Sequence, residues 1–152
     1  MTLTSDFPRT SEKTVQVATF RVENLLLAID VDVVQEINRH LNITEVPHAP
    51  ENVRGVINLR GEVVTVVDMR TILGLPRGEV TRDCRNVVIH SEGELIGLIV
   101  DQIADILTIP IREIDPPPAN VDGVEGRFFK GVYTMDNGIA VLLDVQGALS
   151  QD

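Results

Sequence analysis

The chain has 152 residues, the length of one ordinary domain, with 43% hydrophobic residues and a net charge of −10 at pH 7. That acidity argues against sequence-independent nucleic-acid binding, which needs a basic face to displace counterions, and against direct contact with anionic lipid. A single cysteine, Cys84, excludes an internal disulfide, a cysteine-based zinc site and a Cys-x-x-Cys redox pair.

With no tryptophan, one tyrosine and four phenylalanines, the core must be built from valine, isoleucine and leucine. Branched side chains of this kind favour pleated strands. The longest apolar run, 95–100, is far short of a membrane span. The N-terminus lacks a charged-then-apolar leader pattern, so a cytoplasmic protein is expected.

Residues 1–14 are polar, carry Pro8 and are expected to form a mobile tail ahead of one domain over 15–150. Val15, Val17, Thr19 and Arg21 alternate with Ala18, Phe20 and Val22, which predicts a strand over 15–22. A Glu23-Asn24 link leads to a second strand over 25–29. Val31, Val34 and Ile37, at three-residue spacing, predict a helical turn over 31–37. Pro47 and Pro50 bracket a loop around His48. A hairpin over 53–68, with strands 56–59 and 63–68, turns about Arg60-Gly61-Glu62; a short helix over 69–73 follows and ends at Gly74. Beyond a polar connector, 77–83, a hairpin of 85–90 and 95–100 turns about Ser91-Glu92-Gly93-Glu94. A further strand is predicted over 103–111, and Pro116-Pro117-Pro118 imposes polyproline II geometry. Asp136-Asn137-Gly138 is expected to turn the last hairpin, Asn-Gly supplying the positive φ of a tight two-residue turn, and 145–149 to form a closing helical turn.

Two of these stretches are echoed in order. Gly55-Val56, Leu59, Val63, Val66-Val67, Asp68 and Leu73 align without gaps on Gly131-Val132, Met135, Ile139, Leu142-Leu143, Asp144 and Leu149. Ahead of them, Ala28-Ile29-x-Val31-Asp32-x-Val34-x-Glu36-Ile37 matches Gly97-Leu98-x-Val100-Asp101-x-Ile103-x-Asp105-Ile106. The chain therefore reads as a duplicated β unit. Many short strands and few helices make it all-β, with small barrels the best way to remove sheet edges. Two like subdomains leave a groove and two outer faces, which suits an adapter better than a catalyst.

Catalytic chemistry has little footing. His40, His48 and His90 show no metal-ligand spacing, and no nucleophile elbow, phosphate-binding loop or dinucleotide fingerprint is present. Asp30 and Asp32 form the one carboxylate pair suited to metal or acid–base work, so a small metal-dependent hydrolase is the alternative reading. Asp32 has a repeat partner in Asp101, which points to a structural role such as helix capping; Asp68 and Asp144, each before a helical segment, read as N-caps. Asn58-Leu59-Arg60-Gly61 presents a guanidinium on a hairpin tip, able to pair with a carboxylate.

The stretch Val53-Arg54-Gly55-Val56-Ile57-Asn58-Leu59-Arg60-Gly61, with Val67-Asp68-Met69-Arg70 after the next strand, resembles the signature of CheW-type chemotaxis coupling proteins. The segments around Ala28-Ile29-Asp30, Gly97 to Ile106 and Gly131 to Asp144 resemble the rest of that family, so the likeness spans nearly the whole chain. Glu23-Asn24 departs from the glycine-rich turn usual there. The resemblance implies two SH3-like five-stranded barrels around a shared core, with strands sometimes exchanged between them. It implies a non-enzymatic scaffold, without catalytic residue, metal or cofactor, that joins the cytoplasmic tip of chemoreceptors to the regulatory domain of the chemotaxis histidine kinase. Such a protein is a monomer in isolation and is recruited to membrane-attached arrays; a related protein serving another output, such as pilus motility, is equally compatible. Receptor binding is expected at Val31, Val34, Val87 and Ile106, beside an ion pair of Glu36 and Arg60. Gly55, Asn58, Gly61 and Asp68 are expected to carry the structural motif.

Overall fold

A computed structural model describes residues 12–39 and 41–150; most of the expected 1–14 tail, and His40, lie outside them. The first half of the chain contributes β1 (Thr14–Val22), β2 (Leu25–Asp30), a 3₁₀ turn (Val31–Val33), β3 (Val34–Asn38), β4 (Val53–Leu59), β5 (Glu62–Asp68) and α1 (Met69–Ile72). The second contributes β6 (Arg85–Ser91), β7 (Glu94–Val100), β8 (Gln102–Pro110), β9 (Ile114–Asp115), β10 (Asn120–Val121), β11 (Val124–Glu125), β12 (Phe129–Met135), β13 (Gly138–Leu143) and α2 (Val145–Leu149).

These strands form a six-stranded sheet ordered β8-β1-β2-β13-β12-β9 and a five-stranded sheet ordered β3-β6-β7-β5-β4, with β10 and β11 as a separate small hairpin. The sheets do not correspond to the sequence halves. Hairpin β1–β2 joins the six-stranded sheet by parallel pairing of β2 with β13 (Leu27 opposite Val141). Hairpin β6–β7 joins the five-stranded sheet by parallel pairing of β7 with β5 (Leu98 opposite Val67). Each sheet thus takes one hairpin from the other half of the chain, and the exchange that the family resemblance allowed is present. Two crossings connect the sheets: the turn at Val31–Val33 and the bend at Asp101 between β7 and β8.

Three apolar clusters follow from this arrangement. The largest lies between the sheets and takes Phe20, Leu27 and Ile29 from one, Val87, Ile89 and Leu98 from the other, and Met69, Ile72 and Ala148 from the two helices. Smaller clusters fill each sheet separately: Ile57, Leu59, Val64, Val66, Cys84, Val88 and Ile99 in the five-stranded one, and Val17, Ala28, Ile109 and Leu142 in the six-stranded one. Each sheet therefore buries both of its faces in part, which is why strands such as β6 carry unbroken apolar runs.

The aligned glycines of the repeat mark the same bulge twice. Register shifts between Val53 and Gly55 in β4, and between Phe129 and Gly131 in β12. At each, a crossing segment presses on the glycine: Ile43-Thr44 on Gly55, and Ile114-Asp115 on Gly131. Thr44 and Val56 exchange two backbone hydrogen bonds of 2.9 Å, and β9 pairs with β12 through Ile114 and Asp115.

Several local expectations change. The helical turn expected over 31–37 covers only Val31–Val33; from Val34 the chain is strand, because β6 offers it an edge (Ile37 opposite Val87). Ile111 leaves the strand expected over 103–111 and opens a second 3₁₀ turn, Ile111–Glu113. The hairpin tips are tighter than expected: Leu59 pairs with Glu62 and Ser91 with Glu94. Their two-residue loops, Arg60-Gly61 and Glu92-Gly93, have positive φ throughout (52° and 90°; 51° and 81°), the mirror-image turn that suits strand twist. In the last hairpin Met135 pairs with Gly138, so the loop is Asp136-Asn137 and the positive φ falls on Gly138 at 145°. The turn falls within the expected 136–138, but its two-residue loop is Asp136-Asn137 instead of Asn137-Gly138.

Candidate functional site

Glu36 and Arg60 meet. β3 carries Glu36 just past its register shift at Gln35, with Ile37 next on the strand's other face, and the β4–β5 hairpin tip carries Arg60 to Glu36. The Glu36 carboxylate accepts from the Arg60 Nη2 through one oxygen and from Asn38 Nδ2, at 2.8 Å, through the other. The tip is itself fixed, since Asn58 Oδ1 accepts the Gly61 N–H at 2.8 Å and closes the turn. The Arg60 side chain is 68% exposed and that of Glu36 24%. The pair is an exposed, pre-oriented ion pair and contributes only about 0–1 kcal/mol to stability. Either single neutral substitution should therefore leave the melting temperature nearly unchanged; a fall of many degrees on thermal unfolding would show that the pair holds the fold.

The apolar residues expected beside it separate into three situations. Ile106 stands 59% exposed on β8, a strand secured to β1 by the Thr19 hydroxyl, which donates to the Asp105 carbonyl at 2.5 Å. Val31 and Val34 are half-buried, and Val34 packs against the central cluster. Val87 is fully buried in that cluster. It can support a surface from beneath but cannot face a partner, because its strand is covered on both sides. Ile37, 39% exposed, follows Glu36 on β3 and faces the other way. In the repeat Ile37 aligns with Ile106.

The motif residues act within the fold. Asp68, 2% exposed, caps α1 by accepting the Arg70 N–H at 2.9 Å and holds Arg54, whose Nε and Nη2 lie 2.9 and 2.8 Å away. Asp144 caps α2 through the Gly147 N–H at 3.1 Å. The capping role expected of Asp32 belongs instead to Asp30, which accepts the Asp32 N–H at 2.9 Å. Its repeat partner Asp101 caps nothing. It accepts the Glu23 N–H at 2.8 Å and two bonds from Arg70, at 3.0 Å from Nε and 2.6 Å from Nη2, while Arg70 Nη1 reaches Glu23. The hydrogen bond to Asp101 is the largest cause of a raised Arg70 pKa, so this guanidinium stays charged.

Among the described residues no three His, Cys, Asp or Glu side chains converge as a metal site, and no helix is long and apolar enough to cross a membrane. An open apolar pocket of about 270 Å³ lies at one end of the six-stranded sheet, lined by Val15, Val17, Ala28, Ile114 and Leu142 with Asp30 and Lys130. It holds no arrangement of nucleophile and base.

The family model of the CheW-like domain matches residues 16–152. The chain is 33% identical over 133 residues to the chemotaxis protein CheW of Rhizobium meliloti, covering 88% of this chain and 86% of that one. It is 31% identical over 144 residues to the chemotaxis protein CheW of Bacillus subtilis, covering 95% and 90%. The crystal structure of the scaffolding protein TtCheW from Thermoanaerobacter tengcongensis superposes with a TM-score of 0.84 at 25% identity, covering 92% of this chain and 95% of that one. With its strand-exchanged pair of sheets and the Asn-Leu-Arg-Gly tip set against Glu36, the chain belongs to the family of CheW-like domains.

Proposed function

We propose that this protein is a non-enzymatic adapter of a bacterial chemosensory array, joining the cytoplasmic tips of chemoreceptors to the regulatory domain of their histidine kinase. Family membership supports the adapter reading and leaves the hydrolase alternative without support; Asp30, moreover, spends its carboxylate on a backbone cap. The observation that carries the receptor assignment is the exposed Glu36–Arg60 pair on the five-stranded sheet, together with the exposed Ile106 on β8 of the six-stranded one. β3 begins directly after one crossing and β8 directly after the other, and Val34 and Ile103 near their starts pack on the same central cluster. A helical receptor tip offers what such a face needs, an apolar stripe flanked by charges.

The protein is expected to work in the cytoplasm as a monomer when alone, reaching the membrane only through its receptors. Barrel-end contacts with a kinase domain of like fold would be modest singly and strengthened by repetition in the array.

Binding of a soluble chemoreceptor cytoplasmic fragment tests the assignment. Ile106→Glu places a charge where an apolar contact is proposed, and should weaken binding roughly tenfold or more, as loss of an interface anchor does. Its melting temperature should stay at the parent value because Ile106 is exposed. Glu36→Gln should also weaken binding. Parent-like affinity in both variants would remove β3 and β8 from the receptor contact.

A further inference from the structure

Arg70 closes the second crossing between the sheets. It belongs to α1, which follows β5 of the five-stranded sheet. Its guanidinium grips Asp101, the bend through which the chain leaves β7 and enters β8, with two parallel bonds of 3.0 and 2.6 Å. Through Nη1 it also holds Glu23 at the tip of the β1–β2 hairpin, in the six-stranded sheet. The remaining capacity of Asp101 goes the same way: its Oδ2 accepts the Glu23 N–H at 2.8 Å, and its own N–H donates to the Arg21 carbonyl at 2.9 Å. Gly78 of the connector lies over the guanidinium, where an added methyl would sit 3.3 Å from Nε. Four separate stretches of chain therefore meet on one planar cation, and a bidentate fork fixes direction as well as distance.

The repeat shows that this is not a generic device of the fold. Aligning Asp68 with Asp144 sets Gln146 at the place of Arg70, and the two carboxylate echoes set Asp32 and Glu92 at the places of Asp101 and Glu23. The first crossing, Val31–Val33, lacks a cation there and relies on the local Asp30 cap. Among the described residues the charge clasp is seen at the second crossing.

We infer that Arg70 is a positioning residue for the receptor face: its clasp on Asp101 and Glu23 sets the angle between the sheets, and so the placement of β8 with Ile106 relative to β3 with Glu36. This rests on the receptor reading above, but the clasp can be tested without a receptor. Spin labels at Thr65→Cys and Thr108→Cys, exposed positions on β5 and β8, in a Cys84→Ala background, report the distance between the sheets.

The parent should give one narrow distance distribution. Arg70→Ala and Arg70→Lys should broaden or shift it, the lysine variant because it keeps the charge and stem but cannot form the fork. If Arg70→Ala fails to fold, Arg70→Lys alone carries the comparison. Binding of the soluble receptor fragment should fall roughly tenfold in the same variants, within the range of coupling between linked sites. Distributions as narrow as the parent's in folded variants would overturn the clasp. Broadened distributions with unchanged receptor affinity would overturn its positioning role. A parent that binds no receptor fragment would overturn the receptor reading, while the distance measurement still decides whether Arg70 sets the angle.

Discussion

Gly55→Ala should be close to unfolding the protein, with a loss on the order of 3–5 kcal/mol, the range in which one change removes much of a domain's stability. Two effects combine at this position. Its φ of 144° is one that residues with a side chain rarely adopt. The added methyl would also fall on the Thr44 carbonyl oxygen and 2.8 Å from Ile43 Cγ2. Backbone cannot rotate aside as a side-chain end can, and moving Thr44 breaks its two hydrogen bonds with Val56. It would also draw Leu41 and Ile43 off the five-stranded sheet's core, which they pack against.

Gly131, its partner in the repeat, supplies the comparison. A methyl there meets Ile114 Cγ2 at 2.5 Å and the Asp115 carbonyl at 3.1 Å, and Gly131 has no positive φ. A side-chain methyl can yield, so Gly131→Ala should cost about 1–2 kcal/mol, in the lower part of the usual range of about 1–3 kcal/mol for overpacking. Denaturant unfolding of both variants checks the argument. Equal losses would mean that the close approach of Thr44 does not govern Gly55.

Asp68→Ala is expected to lose about 3 kcal/mol, toward the lower end for breaking a buried ion pair. In a chain of this size that is a fall of about 6–12 °C in melting temperature. Most of the loss comes from what remains behind: Arg54, whose side chain is 18% exposed, would lose its carboxylate and keep the Gly78 carbonyl, 2.5 Å from Nη2. The cap on α1 goes too. Asp144→Ala removes only a cap, on α2, and should cost about 1 kcal/mol. Thermal unfolding of the pair separates charge from cap, and a matching loss in both variants would discount Arg54.

Much of this fold could be read from residues with local consequences. The Arg60-Gly61 and Glu92-Gly93 tips announced their hairpins, because glycine at the second position admits the mirror-image turn. The aligned Asp68 and Asp144 announced two caps, whereas the bulges at the aligned Gly55 and Gly131 emerged only from the strand register. Pairing was less accessible: the repeat says which segments are alike, not which ones lie side by side, so the exchange came only from family resemblance. Val34 and Ile37 misled because three-residue spacing fits a short turn running into a strand as well as it fits a helix. β9, β10 and β11 escaped because each spans two residues, too short for periodicity to register.

At the candidate site Arg60 was legible as a hairpin-tip cation, and its pairing with Glu36 came with the family resemblance. The burial of Val87 was not. Val87, Val88 and Ile89 are all fully buried, an unbroken run that hides which side chain faces which core. The Arg70 clasp was equally hidden, since its three residues are far apart in the chain and only the crossing at Asp101 unites them.

The exchange of hairpins makes the molecule equivalent to a domain-swapped dimer of a half-length unit whose two copies are joined head to tail. The connector between α1 and β6 then acts as a tether. It holds the two copies at a high effective concentration, so that swapping happens within one chain rather than between chains. A break in that tether would not release two folded pieces. Each fragment would lack the hairpin that completes its sheet, and the two would stay interleaved until both sheets came apart together.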